Sequence, residues 1–403
     1  MARGMAWSIR LAAASALACS LGTTSVRAED EQPPPEPPLS LSAVYTGETW
    51  HALQGGDQQG SAYLDNLDLQ LKADGSSWGY PGFSAFAYVL YNNGREFAPF
   101  TGSLQGISNI EAVPSTRLYE AWVEAPALGG SVRAGLYNLN TEFDANEVGA
   151  LFLSPSHGIG PEFAHTGRAG PSIFPVTSLA LRYKREVSDW RLQAVVLDGV
   201  PGDPNDPRRT SIHFGDGDGA LMVGEVGKSL GALKSAIGLW HYTTTMPDIT
   251  AADPQAPDAP QRQGSTGAYA LFSGSLWNEE ASGRDLSAFL RFGLGDAAVY
   301  QTDRYLGIGL VSTGPASSRA KDRLGLALAI ADNSDRFRAA QFAAGTPLDL
   351  REVDVELSYR AVLTDWLILQ PDLRYIVNPG TDPALDNAWV MGVRFQLALG
   401  WPH

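Results

Sequence analysis

Paired carboxylates are the first chemistry this sequence offers. Asp354 and Glu356 are separated by one residue, so on a β-strand they share a face about 7 Å apart. That separation loosely suits the two acids of a glycosidase. A charged wall facing water accounts for them with no further assumption. Gly215-Asp216-Gly217-Asp218-Gly219, near Asp203 and Asp206, is rich enough in oxygen ligands for a hard cation such as calcium. It lacks the ordered spacing of a calcium loop, and solvated loops use Asp and Gly in the same way. His51, His157, His165, His213, His241 and His403 form no H-x-x-x-H pair. There is no G-x-S-x-G elbow and no phosphate-binding P-loop. No metal, cofactor or catalytic set is therefore expected, and a hydrolase stands as a rival without a visible nucleophile and base.

The elements that would carry these acids are strands. From Glu352 to Arg360, Val353, Val355, Leu357 and Tyr359 alternate with Glu352, Asp354, Glu356, Ser358 and Arg360. Leu367, Leu369, Leu373, Tyr375 and Val377 alternate with Gln370, Asp372, Arg374 and Asn378. Trp389 to Trp401 alternates over its whole length, with Trp389, Met391, Val393, Phe395, Leu397, Leu399 and Trp401 as the apolar set. The run exceeds a typical globular strand of about 5–6 residues. It suits a tilted bilayer-crossing strand of roughly 9–11 residues. Upstream, Leu67, Leu69 and Leu71 oppose Asp68, Gln70 and Lys72, and Leu179, Leu181 and Tyr183 oppose Arg182 and Lys184. Trp190, Leu192 and Val196 oppose Arg191 and Gln193, and Leu286, Leu290, Phe292 and Leu294 oppose Arg291. Phe83 to Asn92 reads as a strand of ambiguous facing. A soluble sandwich turns such polar faces outward, and a porin turns them inward around water. Alternation alone does not choose between them.

The N-terminus points to export. Arg3 and Arg10 precede a short Ala-rich apolar run, and Val26-Arg27-Ala28 offers a cleavage site before Glu29. Residues 1–28 thus read as a signal peptide, 29–38 as an acidic Pro-rich leader and 39–403 as one domain. Cys19 is the one cysteine and lies in the removed segment, in a poor lipoprotein box. The formal net charge of −15 becomes more negative without Arg3, Arg10 and Arg27, which argues against nucleic acid as a partner. No later segment offers about 20 continuous apolar residues, so a closed barrel is the remaining way to cross lipid. At about 23 residues per strand and connection, this length makes roughly 16 strands. Short connections are expected at Glu186–Asp189 and Leu363–Asp365, and long ones at Asp198–Asp218, Met246–Thr266 and Asn378–Asn387. The expected fold is an all-β, transmembrane antiparallel β-barrel with short periplasmic turns and long extracellular loops.

The central sequence adds a resemblance. Ser103 to Glu111, Arg117-Leu118-Tyr119-Glu120-Ala121-Trp122-Val123-Glu124, Val132 to Phe143, Gly158-Ile159-Gly160-Pro161-Glu162 and Gly170 to Val176 occur in succession. With Leu367 to Tyr375 and Asn378-Pro379-Gly380, this resembles the carbohydrate-selective porin family of the OprB type. The resemblance implies an outer-membrane barrel of a Gram-negative cell that admits sugars by passive diffusion. Its implied partners are carbohydrate solutes, outer-membrane lipid, the barrel-assembly machinery and, as an open alternative, further copies of the chain. The chain departs from the usual aromatic last residue by adding Pro402-His403 after Trp401. A sugar needs polar groups for its hydroxyls and an aromatic face for its C–H groups. Alternation turns Tyr119, Ala121 and Val123 to lipid and Glu120, Trp122 and Glu124 inward. It likewise turns Val132, Ala134 and Leu136 to lipid and Arg133 and Tyr137 inward. The expected lumen candidates are Glu120, Trp122, Arg133, Tyr137, Arg182, Glu356, Arg360, Asp372 and Arg374. Their mixed charge suits a neutral solute, and a dedicated anion pore would be more basic. The rival for Trp122 is an interfacial, lipid-facing indole, and a plugged structural barrel rivals the open channel.

Overall fold

The computed structural model describes residues 38–399, apart from 213, 214, 216, 252–255, 257, 280, 281 and 317. The expected signal peptide, most of the leader, Cys19, Asp216 and Trp401–His403 lie outside the described residues. The strands are β1 Leu39–Gly56, β2 Gly60–Asp74, β3 Ser84–Gly94, β4 Ser115–Ala127, β5 Gly130–Tyr137, β6 Ser178–Val187, β7 Trp190–Asp198 and β8 Ala220–Leu230. They continue as β9 Leu233–Pro247, β10 Gln261–Glu279, β11 Arg284–Leu294, β12 Thr302–Thr313, β13 Arg323–Asn333, β14 Arg351–Val362, β15 Leu367–Val377 and β16 Asp386–Leu399. Each pairs antiparallel with its sequence neighbours, and β16 closes on β1 from Ala43↔Leu399 to Gly56↔Asp386. Closure leaves no unpaired edge, which a strand-built membrane span requires.

The side-chain period of two sorts the wall into faces. Glu352, Asp354, Glu356 and Ser358 of β14 are fully buried, whereas Leu357 between them is 44% exposed. Leu69 and Leu71, Leu181, Leu192, Phe292, Leu326 and Met391 share that exposed outer surface. Trp78, Trp190, Trp277 and Trp366 are exposed at one rim. At the other, Trp389 lies 4.6 Å from Tyr375 between ring centres. These are the positions of interfacial aromatic girdles, where an amphipathic ring meets both hydrocarbon and water.

Connection length separates the rims as well. One rim has the tight turns 128–129, 188–189, 231–232 and 363–366, and the other has 95–114, 138–177, 199–219, 248–260 and 334–350. The connection expected over Met246–Thr266 is shorter than its sequence suggests. The hairpin continues through Thr245↔Gln263, Met246↔Arg262 and Pro247↔Gln261, because outward residues above the apolar band no longer need apolar side chains. Connection 334–350 carries a helix that periodicity did not reveal, α1 Asp335–Ala343, capped by Ser334, whose hydroxyl accepts from the Phe337 amide. All of its residues are at least partly exposed, so no apolar stripe marks it in sequence.

One expected facing is corrected on β4, and one outward residue of β5 is buried. Tyr119 was expected toward lipid, yet it is 2% exposed and packs edge-on against Tyr88. The register steps from Tyr88↔Glu120 to Val89↔Leu118, which leaves Tyr119 as the extra residue of a bulge. A bulge shifts the alternation by one, so Tyr119 joins the inner set beside Glu120. Leu136 keeps an outward register, opposite Ala121 and Leu179, but is also 2% exposed. At this corner the wall thins, because β5 pairs with β4 only from Ala121 onward. Thr210 there donates its hydroxyl to the Leu118 carbonyl at 3.1 Å, and Thr177 donates to the Tyr119 carbonyl.

Candidate functional site

The closed wall leaves an interior that two long connections partly fill. Segment 138–177 leaves the wall at the top of β5 and crosses to the far side. Phe163 stacks on Trp240 of β9, 5.2 Å apart and nearly parallel. The Asp144 amide donates to Glu225 of β8 at 2.9 Å. Arg291 of β11, buried, pairs with Asp144 at 2.5 Å and with Glu162 at 2.8 Å. Tyr305 of β12 donates to the Ser156 carbonyl at 2.7 Å. Beyond these, the Ser154 amide donates to Glu356 of β14 at 3.0 Å, and Gln370 of β15 donates to the Leu151 carbonyl at 2.7 Å. The segment is thus fixed across a wide arc of wall by charge-assisted bonds in a water-poor setting, where an unpaired group would be costly.

Segment 95–114 extends that lining. Glu352 accepts from the Ser103 hydroxyl and the Leu104 amide at 2.8 Å and from the Gln105 amide at 3.1 Å. Arg374 pairs with Asp354 and donates to the Ile107 and Gly106 carbonyls. Glu48 of β1 pairs with Arg394 and accepts from the Ser108 hydroxyl at 2.6 Å. Glu356, Asp372 and Arg374 therefore point inward as expected from alternation but lie sealed beneath these segments, not against open water. His157, also sealed, has its Nε2 3.8 Å from Glu356. Burial, aided by Arg374, pushes the His157 imidazole down to about 3, so it is neutral at neutral pH. The acid pair Asp354 and Glu356 that first suggested glycosidase chemistry is thus occupied in holding loops. Arg360 stands apart near the tight-turn rim, opposite Arg323 in register.

The remaining candidates come together on the opposite wall. Glu124 of β4 pairs with Arg133 of β5 at 2.6 Å and with Arg182 of β6 at 3.0 Å. Glu142, where the long segment begins, pairs with Arg182 at 2.8 Å, Lys184 at 2.9 Å and Arg133 at 3.4 Å. Tyr137 donates to Glu142 at 2.7 Å. Burial pushes the Glu142 carboxyl up, but Arg133, Lys184 and Arg182 outweigh it and hold it at about 2, below the ordinary 4.5. Glu120 accepts from the Asn138 amide at 3.2 Å and from the Trp122 indole at 3.3 Å. Trp122 lies between Phe86 on β3, 5.2 Å between ring centres, and the Arg133 guanidinium, 3.7 Å from its ring centre. Its faces are occupied, so the indole offers its edge to the interior. Arg133 and Glu124 remain 14% exposed and Lys184 28%. This wall keeps solvent contact while the β14–β15 wall is covered.

Sequence reasoning passed over the acids that hold the long segment. Glu142, Asp144, Glu162 and Glu225 carry no motif, and only Glu142 and Glu162 fall in stretches noted for other reasons. A usable signal existed in the acids scattered through a Gly- and Pro-rich stretch too long for a hairpin turn, facing a wall rich in arginine.

Comparisons with known proteins agree with this architecture. The model of the carbohydrate-selective porin, OprB family, matches residues 58–399. The chain is 26% identical over 400 aligned residues to Porin B of Pseudomonas aeruginosa, covering 87% of this chain and 86% of that protein. Its fold is similar to the high-pH structure of Pseudomonas putida OprB, with a TM-score of 0.78 at 20% identity over 90% of this chain and 94% of the other. It is also similar to the trimer form of Vibrio cholerae OmpT, with a TM-score of 0.52 at 10% identity over 90% and 99% of the two chains.

Proposed function

The chain belongs to the OprB family of carbohydrate-selective porins, and from that premise we propose that it is an outer-membrane channel, not an enzyme, and that its sugar path follows the β3–β6 side of the lumen. The observation that carries this reading is the asymmetry of the interior. Segments 95–114 and 138–177 cover the β8–β16 wall, and the Glu124–Arg133–Arg182–Glu142–Lys184 network stays in contact with solvent. Its members alternate donors and acceptors, and a hydroxyl both donates and accepts. A neutral sugar can exchange water for these groups one contact at a time, whereas an ion meets a charge of its own sign at each step. Binding along such a path must stay weak enough for the solute to leave.

In this reading Arg133, Glu124 and Lys184 touch the sugar, Trp122 supports Arg133 and contributes its edge, and Glu120, Tyr137 and Arg182 hold the network in place. Glu356 and Arg374 set the width of the path by fixing the loops that narrow it, and Asp372 lies buried beneath them. Arg360 lies at the tight-turn mouth. The tight-turn rim faces the periplasm and the long connections face outward. Residues 1–28 are removed on export, the barrel-assembly machinery inserts the mature chain into outer-membrane lipid, and the inserted barrel associates with further copies. Planar-bilayer recording with sugars as blockers tests the path. Block by a neutral hexose that weakens in Arg133→Ala supports it. A folded barrel without conductance overturns it in favour of a plugged structural barrel.

A further inference from the structure

The outer surface carries a groove that sugar passage does not use. Two adjoining depressions of about 520 and 560 Å³ share Leu192 and Val226 in their walls. The larger is floored by Ala194 of β7 and Gly224 of β8, which face each other in register. A Cβ on Gly224 would meet no atom within 4 Å, so no side chain of the described residues fills the space above it. At its tight-turn end the groove reaches Arg185 and Trp190. Lys228 stands beside them, its Nζ 4.7 Å from the Trp190 ring centre. Nearby Lys184, Arg191 and Lys234 each pair with a carboxylate. Among the described residues no ion pair is found for Arg185 or Lys228.

We propose that this groove is a binding site for one anionic glycerophospholipid. An acyl chain lies over Ala194 and Gly224, and the phosphate sits between Arg185 and Lys228 against the Trp190 indole. Hydrocarbon surrounds this face of a membrane barrel, so the apolar trough offers little preference by itself, because lipid tails are as apolar as its walls. Selectivity comes from the two cations at the interface, where a basic residue attracts an anionic headgroup and an indole sits between apolar and wet surroundings. A second copy of the chain is a poorer occupant by charge, since a symmetric contact on this groove would bring the same cations together. The proposal rests on the barrel's membrane seating and not on the sugar path.

The test is native mass spectrometry of the full-length protein in neutral detergent. Phosphatidylglycerol and phosphatidylcholine of matched chains are titrated separately. Wild type should retain phosphatidylglycerol in preference. Arg185→Gln and Lys228→Gln should each lower that retention about five-fold without changing phosphatidylcholine. Gly224→Leu should fill the trough and lower retention of both lipids while leaving the folded barrel's conductance intact. Equal retention of the two lipids, or full retention in Gly224→Leu, overturns the site and leaves only non-specific annular lipid. A dimer that Gly224→Leu dissociates also overturns it, in favour of a second copy. Absent sugar block with the lipid preference intact would reject the sugar path and leave this site standing.

Discussion

Trp122 shows how a residue's role depends on what occupies its faces. Its spacing suggested a stacking surface for sugar, but Phe86 and Arg133 cover the two sides of the ring. Its removal therefore acts through Arg133, by taking away the surface that holds the guanidinium toward Glu124. Trp122→Ala should weaken sugar block by about five-fold, an effect of about 1 kcal/mol, in a channel that still folds and conducts. Arg133→Lys, which keeps the charge but not the planar fork, should weaken block similarly. Unchanged block in both folded variants would remove this corner from the path. A second residue-scale contrast lies on β14. Leu357→Arg places a charge on the outer surface and should cost about 2–4 kcal/mol near the bilayer midplane. Glu356→Gln changes no lipid contact, so its effect should appear as loop disorder. Equal losses of barrel stability in urea titrations of the two would contradict the opposite facings of these neighbours.

At the scale of elements, the long segment 138–177 is held by buried ion pairs and by apolar clusters against the wall, and not by a secondary-structure ladder. Arg291 faces both Asp144 and Glu162 in a buried site. Arg291→Ala would leave two buried carboxylates without their partner, a loss of about 3–5 kcal/mol when such a pair is broken. That is enough to loosen the segment at β11 while the hydrogen-bonded wall persists. The expected record is a larger, noisier single-channel conductance with little sugar block. A quiet channel of wild-type size would show that the apolar clusters around Phe143, Phe152 and Phe163 hold the segment without this ion pair. Glu142 adds a pH dependence. Its folded value of about 2 lies below the ordinary 4.5, so its contribution is complete above about 4.5 and is lost as pH falls toward 2. Loop-opening noise should rise across that window, and Glu142→Gln should blunt the rise and be noisy already at neutral pH. Noise that begins between pH 6 and 8 would assign the transition to another group.

For the whole molecule, closure of β1 on β16 governs stability and location together. No cysteine lies within residues 38–399, so burial and a complete ring of strand pairing must hold the barrel without disulfides. The two aromatic rims set its seat in the bilayer. Export of this ring requires a leader, and N-terminal sequencing of protein from outer-membrane fractions should begin near Glu29. A start at lipidated Cys19 would overturn the cleavage expectation and attach the barrel to the membrane by a second means.

Much of the wall was legible from sequence because a strand exposes its period directly. Leu357 and Glu356 are adjacent in the chain and meet opposite solvents, so their chemical contrast is written in the order of residues. The same local rule announced the strands around Leu181, Leu192, Phe292 and Met391 and, with length and the absence of a helical span, the closed antiparallel barrel. It failed at Tyr119, where one inserted residue shifts the alternation without any change in composition. It was silent on the interior segments, whose anchors join residues far apart in sequence, such as Asp144 to Arg291 and Ser103 to Glu352. Pairings of that kind leave no period. Which inward charges are buried under loops and which still meet water was therefore decided only by the tertiary structure. Burial beneath a loop is a property of two segments brought together, and neither segment's own pattern contains it.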